Sequence, residues 1–212
     1  MSDARRHTEQ GEERKQQLLT AAEQLFTERG YGATRISDIC AAAGVAKGLF
    51  YWYFPTKESL FAELVRTMRL ALRRAQAAAM QPDADPVTRI RQGAEASVRF
   101  MAEHQPYFAL LDVERTDDAM ADVLKEGSDV YARDVRRLVA EAQAQGLVPD
   151  ADPSFYAVGV MGAVSSFSHA HRMGRVQMPI DELAQLVGDW VTRALTGRAP
   201  IPATDRGAAS LG

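Results

Sequence analysis

Lys47, Gly48, Leu49, Tyr51, Trp52 and Tyr53 are the residues of this chain whose types and spacing suit contact with a polyanion and with the edges of bases. A lysine neutralises a phosphate, a tyrosine hydroxyl donates to one, and an apolar side chain packs against a methyl-bearing base edge. Five aromatics follow one another from Phe50 to Phe54, and a single helix cannot turn all five toward its own core. Burying Phe50 and Phe54, one turn apart, leaves Gly48 and Trp52 on the opposite side. Leu49 and Tyr51 then fall on the flanks, Lys47 at the helix start and Tyr53 at its far edge. An exposed glycine costs a helix about 1 kcal/mol relative to alanine, and close approach of the backbone to DNA gives a reason for one at Gly48. A helical hairpin with every aromatic in the core is the bland alternative, and it fails on Tyr51 and Trp52.

Such a surface needs a support. Ile36, Ile39, Cys40 and Ala43 recur at spacings of three and four, the pattern of one buried face on a short helix. Thr34 is placed to cap its start. Gly44 suits the left-handed backbone that ends a helix, and Val45 can fill the corner before the next one. Two short helices joined at Gly44, the second carrying the reactive surface, make a helix-turn-helix. Ser37 lies on the outer side of the first, and Lys57 opens the element that follows.

The segment from Leu18 to about Leu64 resembles the N-terminal domain of the TetR family of bacterial transcription regulators. The resemblance rests on Ala22-Glu23-Gln24-Leu25-Phe26, Glu28-Arg29-Gly30-Tyr31, Thr34, Asp38-Ile39, Ala43-Gly44-Val45, Lys47-Gly48, Phe50-Tyr51, Tyr53-Phe54 and Lys57-Glu58-Ser59-Leu60. It covers about a quarter of the chain, and beyond it only the all-helical layout is similar. The resemblance implies that Lys47, Gly48, Tyr51 and Tyr53 contact DNA, that Lys57 holds a phosphate, and that Ser37 adds a contact. Leu49 stands where a small or hydroxylated residue is more usual, and Arg35 where a second threonine is common. Leu49 is of a size to touch a thymine methyl, so the preferred DNA sequence does not transfer from relatives.

A net charge of −3 over 212 residues argues mildly against a nucleic-acid partner. Residues 1–57 carry +1 and the rest −4, so DNA binding has to rest on local contacts rather than a broad positive field. The single cysteine, Cys40, excludes an internal disulfide and fits a reducing cytoplasm, the expected location. No apolar run approaches a membrane span, and Arg5 and Arg6 precede no apolar signal segment. Catalytic signatures are missing too: no phosphate-binding glycine loop, Gly-x-Ser-x-Gly elbow or His-Glu-x-x-His. No catalytic residue, cofactor or metal is therefore expected. His169 and His171 are two apart, on different sides of a helix, and make a poor metal pair.

The periodicity predicts an all-α chain of about nine helices. Residues 1–11 read as a flexible arm, 12–57 as the helix-turn-helix domain, 58–197 as a ligand-binding and dimerisation domain, and 198–212 as a disordered tail. A long helix begins at Thr56. Pro82 and Pro86 break the chain, and another long helix starts near Asp117 with Met120, Leu124, Tyr131, Leu138 and Ala142 on one side.

Toward the end, Gly159, Ala163, Ser166 and Ala170 form a small-residue stripe beside Val160, Val164 and Phe167. In the last helix Leu183, Val187, Trp190 and Ala194 share a face. With the family resemblance, these two helices imply a four-helix homodimer interface. Two heads would then read half-sites of a palindromic double-stranded operator. Met101, His104, Phe108, Leu111, Met161, Phe167 and His171 are the candidate lining of an effector pocket, apolar with two polarising histidines. The leading reading is a ligand-responsive regulator, most simply a repressor released from DNA when an unidentified small molecule tilts the long fourth helix. A helical carrier or interaction module explains the pocket but not the Lys47–Tyr53 surface. For an enzyme on a helical scaffold, the chain lacks all of those catalytic signatures.

Overall fold

The computed structural model describes the backbone of residues 2–114 and 132–197, and the side chains of 10–111 and 132–197. Among the described residues every regular element is helical. The order is α1 (Ser2–Arg29), α2 (Ile36–Ala43), α3 (Lys47–Tyr53), α4 (Lys57–Ala79), α5 (Pro86–Glu103) and α6 (Gln105–Glu114). Helical residues 132–144 (α7), α8 (Pro153–Arg172) and α9 (Ile180–Thr196) complete it. Met120, Leu124 and Tyr131 lie outside the described residues, as does the 198–212 tail.

Helix ends follow local chemistry. Gly30 and Gly44 take φ of 82° and 65°, the left-handed region that lets α1 and α2 stop and turn. Thr56 and Ser59 cap α4 reciprocally: the Thr56 hydroxyl accepts from the Ser59 amide and the Ser59 hydroxyl from the Thr56 amide, both at 3.1 Å. Asp85 caps α5, its carboxylate accepting from the amides of Val87 (2.9 Å) and Thr88 (3.1 Å).

Two expectations fail here. Thr34 does not cap α2; it is buried and its hydroxyl donates back to the carbonyls of Gly30 (2.8 Å) and Leu25 (3.3 Å). Gly30 lies just past the end of α1, where no further turn supplies its carbonyl with a donor, and Leu25 lies in the last turns of that helix. Arg35 takes the capping position, its amide donating to Asp38 Oδ2 at 3.1 Å. The expected arm at residues 1–11 is also corrected: α1 begins at Ser2. Ala4, Arg5, Arg6, Glu9 and Gln10 are good helix formers, and the packed half of α1 supplies the nucleus they extend.

Two apolar clusters organise the chain. The first gathers Leu18, Ala22, Leu25 and Phe26 of α1, Ile39 and Cys40 of α2, Phe50 and Phe54, and Leu60, Phe61, Leu64 and Val65 of α4. Phe26, Tyr31 and Phe61 form an aromatic triad with centroids 5.2 to 5.9 Å apart. This cluster reaches past residue 57, through the first half of α4, and takes in Tyr107 and Leu110 of α6. The second joins α5, α7, α8 and α9 around Ala94, Val98, Val139, Val164, Leu183, Val187 and Val191. Helix α4 links the two, with its far end tied to α5 by a buried bond from the Gln76 amide to Ser97 Oγ at 2.8 Å.

Charges fasten the outside. Glu63 of α4 receives Lys15 of α1 at 2.6 Å and a two-pronged Arg66 contact at 2.7 Å per bond. The Arg66 hydrogen bonds, with Lys15, outweigh burial and hold the Glu63 carboxyl down to about 2 from an ordinary 4.5. A carboxylate depressed in the folded state stabilises it above the unfolded value and loses that contribution as pH falls from about 4.5 toward 2. Chemical denaturation of Glu63→Gln across this window should therefore show a shallower acid loss than wild type. Parallel curves would mean the pair contributes nothing.

Candidate DNA-reading surface

Helix α3 is positioned by what it buries. Phe50 is fully enclosed and Phe54 nearly so, their rings 6.0 Å apart in the first cluster. At the corner, the Gly44 amide donates to Ala41 O (3.2 Å) and the Val45 amide to Cys40 O (3.0 Å), while Val45 packs on the core. Cys40 is buried beside them; burial pushes its thiol up, partly offset by the charge of Lys47.

The outward surface matches most of the expected residues. Lys47 and Gly48 are exposed, Leu49 is half-buried, Tyr51 is 48% exposed and Trp52 74%. A Cβ built on Gly48 would meet nothing within 4 Å, so no neighbour in this chain requires the glycine; the space is left open outward. Ser37 is exposed on α2, its hydroxyl 3.4 Å from Asp38 Oδ1.

Tyr53 and Lys57 have other duties. Tyr53 is half-buried and packs on the first cluster, with its hydroxyl 3.5 Å from where a Cβ on Gly11 of α1 would stand. Its ring meets Trp52 edge-on, centroids 4.6 Å apart at 88°. Tyr53 thus supports Trp52 from behind. The Lys57 ammonium donates to the carbonyls of Tyr31 (2.8 Å) and Thr34 (3.0 Å) and lies 4.1 Å above the Tyr31 ring. It braces the loop between α1 and α2 against α4 instead of standing free for a phosphate. Sequence position alone misses this, because a lysine at a helix start serves a phosphate or a carbonyl equally well. Lys57→Met should lower head stability by about 1–3 kcal/mol, the range for hydrogen bonds from a charged donor. It should leave the salt dependence of DNA affinity unchanged. A slope reduced by about one would restore Lys57 as a phosphate contact.

The seven candidate effector residues lie on α5, on α6, on α8 and at the turn between α5 and α6. A shallow surface cleft, with enclosed room for about one water molecule, is lined by Val98, Met101, Ser168, His171, Arg172 and Ile180 among others. Met101 and His171 are the two expected residues found there. Ser168 Oγ is buried without a hydrogen-bond partner, and the His171 ring is 3.0 Å from Met178 O. His104 does not continue the α5 face: the helix ends at Glu103 and His104 caps it. Its ring stacks on Phe100 at 4.1 Å, and its charge counteracts the upward pull of burial on Glu23 of α1. Pro106 then redirects the chain, so that Phe108 and Leu111 pack on the first cluster. Phe167 packs on the second, 6.1 Å from Trp190, and Met161 is half-buried on α8 outside this cleft. Among the described residues no group of three or more His, Cys, Asp or Glu is set to hold a metal, and no helix is long and apolar enough to cross a membrane.

A second surface stands out on α8 and α9. Val160, Ala163 and Val164 turn inward, so the expected stripe splits, with Gly159 and Ser166 outside. Phe155 (75% exposed) and Val158 (69%) extend that outer face. On α9, Leu183 and Val187 are buried while Leu186 and Trp190 are each 47% exposed and Ala194 is exposed. The helix is apolar on two sides, which a one-face reading merges. Phe155 and Val158 were legible as a pair three apart, opposite the inward valines.

Residues 18–64 match the family model described as bacterial regulatory proteins of the tetR family, and residues 83–195 match the tetracyclin repressor-like C-terminal domain. The chain is 26% identical over 132 residues to the uncharacterized HTH-type transcriptional regulator YhgD of Bacillus subtilis (strain 168), covering 62% of each chain, less than two thirds of that relative. It is 26% identical over 190 residues to the HTH-type transcriptional repressor DhaR of Mycobacterium sp. (strain GP1), covering 82% of this chain and 89% of the other. A solved TetR-like transcriptional regulator from Rhodococcus sp. RHA1 superposes with a TM-score of 0.68 at 25% identity, covering 87% of this chain and 97% of that one. The two family models meet the reading head and the helical body in turn, and the chain belongs to the TetR family of bacterial transcription regulators.

Proposed function

We infer that this chain is a ligand-responsive repressor that binds a palindromic operator as a homodimer. The observation that carries the reading is the α3 surface, where Lys47, Gly48, Leu49, Tyr51 and Trp52 face outward because Phe50 and Phe54 face inward. The half-site contacts are few and the net charge is −3, so one head alone binds weakly and a pair is needed. The outer faces of α8 and α9 supply the pairing surface: apolar, rimmed by small residues and left open in the single chain. Repression is supported by the names of relatives such as DhaR. A small-molecule effector would bind in the helical body that matches the tetracyclin repressor-like C-terminal domain. It acts by binding one head spacing better than the other.

A gel-shift titration against the intergenic DNA beside its own gene, and against a selected-DNA library, tests the reading. Salt-sensitive, sequence-specific binding is expected. Tyr51→Ala should weaken it by at least about tenfold, the loss of one charge-assisted hydrogen bond, with the melting curve unchanged. Failure across the library would sink DNA reading.

A further inference from the structure

The outward side of α3 is short of hydrogen-bonding groups for a reader of sequence. Bases are ordinarily told apart by bidentate Arg, Lys, Asn or Gln contacts, or by an Asp or Glu acceptor, in the major groove. From Lys47 to Tyr53 the helix contains one of these, Lys47, at its first residue. The exposed residues of α2 add Ser37, which already lies 3.4 Å from Asp38, and the alanines Ala41 and Ala42. Lys47 and the Tyr51 hydroxyl remain as polar groups at the surface. Both also suit phosphate, which positions the head without reading sequence.

What this surface does offer is apolar area. Leu49 and Trp52 are three residues apart and so neighbours on one side of the helix. Trp52 is 74% exposed and meets the ring of Tyr53 edge-on, and Tyr53 itself packs on the first cluster. Beside them Gly48 leaves open space into which a groove wall can move. An indole and a leucine side by side, with room for close approach, fit one feature of the major groove. That feature is the C5-methyl group of thymine, the apolar mark that distinguishes T·A from A·T.

We propose that this protein reads its operator chiefly through thymine methyl groups, contacted by Leu49 and Trp52. The proposal rests on the DNA-reading function above and names the chemistry it uses. Lys47 and Tyr51 set register on the backbone, and methyl contacts carry the discrimination.

The test uses the full chain and a duplex selected by it from a random library. Thymines in each half-site are replaced one at a time by deoxyuridine, which removes the methyl and preserves base pairing. Binding is measured at fixed salt. Each contacted methyl should contribute about fourfold in affinity, the value of one buried methyl-sized group. Leu49→Ala and Trp52→Ala should each bind the thymine and deoxyuridine duplexes equally well at the position that residue reads. Leu49 is half-buried, so the deoxyuridine series on the unmutated chain provides a reading that does not depend on a variant's folding. Specific binding that ignores every deoxyuridine substitution would overturn methyl readout and leave DNA reading intact. So would variants that keep the wild-type ratio between the two duplexes. A library that yields no enriched sequence would remove the DNA-reading function, and this proposal with it.

Discussion

A chain carrying Leu186→Glu and Trp190→Glu is expected to sediment as a monomer and to lose operator affinity by about 10²–10⁴-fold, the range set by losing a linked second binding event. Both side chains are 47% exposed on α9, while Val187 and Val191 of the same helix hold the body together from the other side. Two carboxylates placed on the outer face repel their copies across a two-fold axis and must be desolvated if the interface forms. The inner face is untouched, so each monomer should keep its helical content. Analytical ultracentrifugation with binding measured on the same samples makes the check. A double variant that stays dimeric would move the interface elsewhere. One that is monomeric yet binds normally would show that a single head suffices.

The second large effect lies in the head. Phe50→Ala should cost about 3–5 kcal/mol, the usual loss for emptying a phenylalanine site in a packed core. Phe50 is fully buried, 6.0 Å from Phe54, and it is the residue that seats α3 on α1 and α2. A domain has about 5–15 kcal/mol in all, so the substitution leaves the head marginal while the second cluster, which contains no part of α3, persists. Urea unfolding followed by circular dichroism should therefore show an early transition that wild type lacks, with DNA binding abolished. Tyr51→Ala is the matched control: it changes a 48% exposed residue and should weaken DNA affinity by at least about tenfold without the early transition. If the two variants unfold alike, the division of α3 into a buried and a reading side is wrong.

Much of this was legible in the residues. Leu18, Ala22, Leu25 and Phe26 repeat at helical spacing and are all buried, and Phe50 and Phe54 are buried as their spacing requires. Gly30, Gly44, Thr56, Asp85 and Pro153 mark helix boundaries because each acts on its own few neighbours. What escaped depends on groups distant in the chain. Thr34 turns back because α1 ends with carbonyls in need of donors, and Lys57 turns in because Tyr31 offers a carbonyl and a ring face. The start of α1 escaped because a polar helix has no apolar stripe to announce it. The packing of Phe108 and Leu111 on the first cluster has a different reason. A helical face cannot be extended through a helix end, and the turn at His104 and Pro106 sends Phe108 and Leu111 toward the head.

The chain contains two tryptophans. Trp52 stands on α3 and Trp190 on the outer side of α9, so the whole indole emission of the protein originates at the two surfaces proposed above for DNA and for pairing. In Trp190→Phe the remaining fluorophore is the one on the reading helix, and stacking against a groove should quench it and shift its spectrum to the blue. In Trp52→Phe the signal follows subunit exchange instead. Light emitted by the unlabelled protein thus separates the two associations, and a titration of either needs no dye.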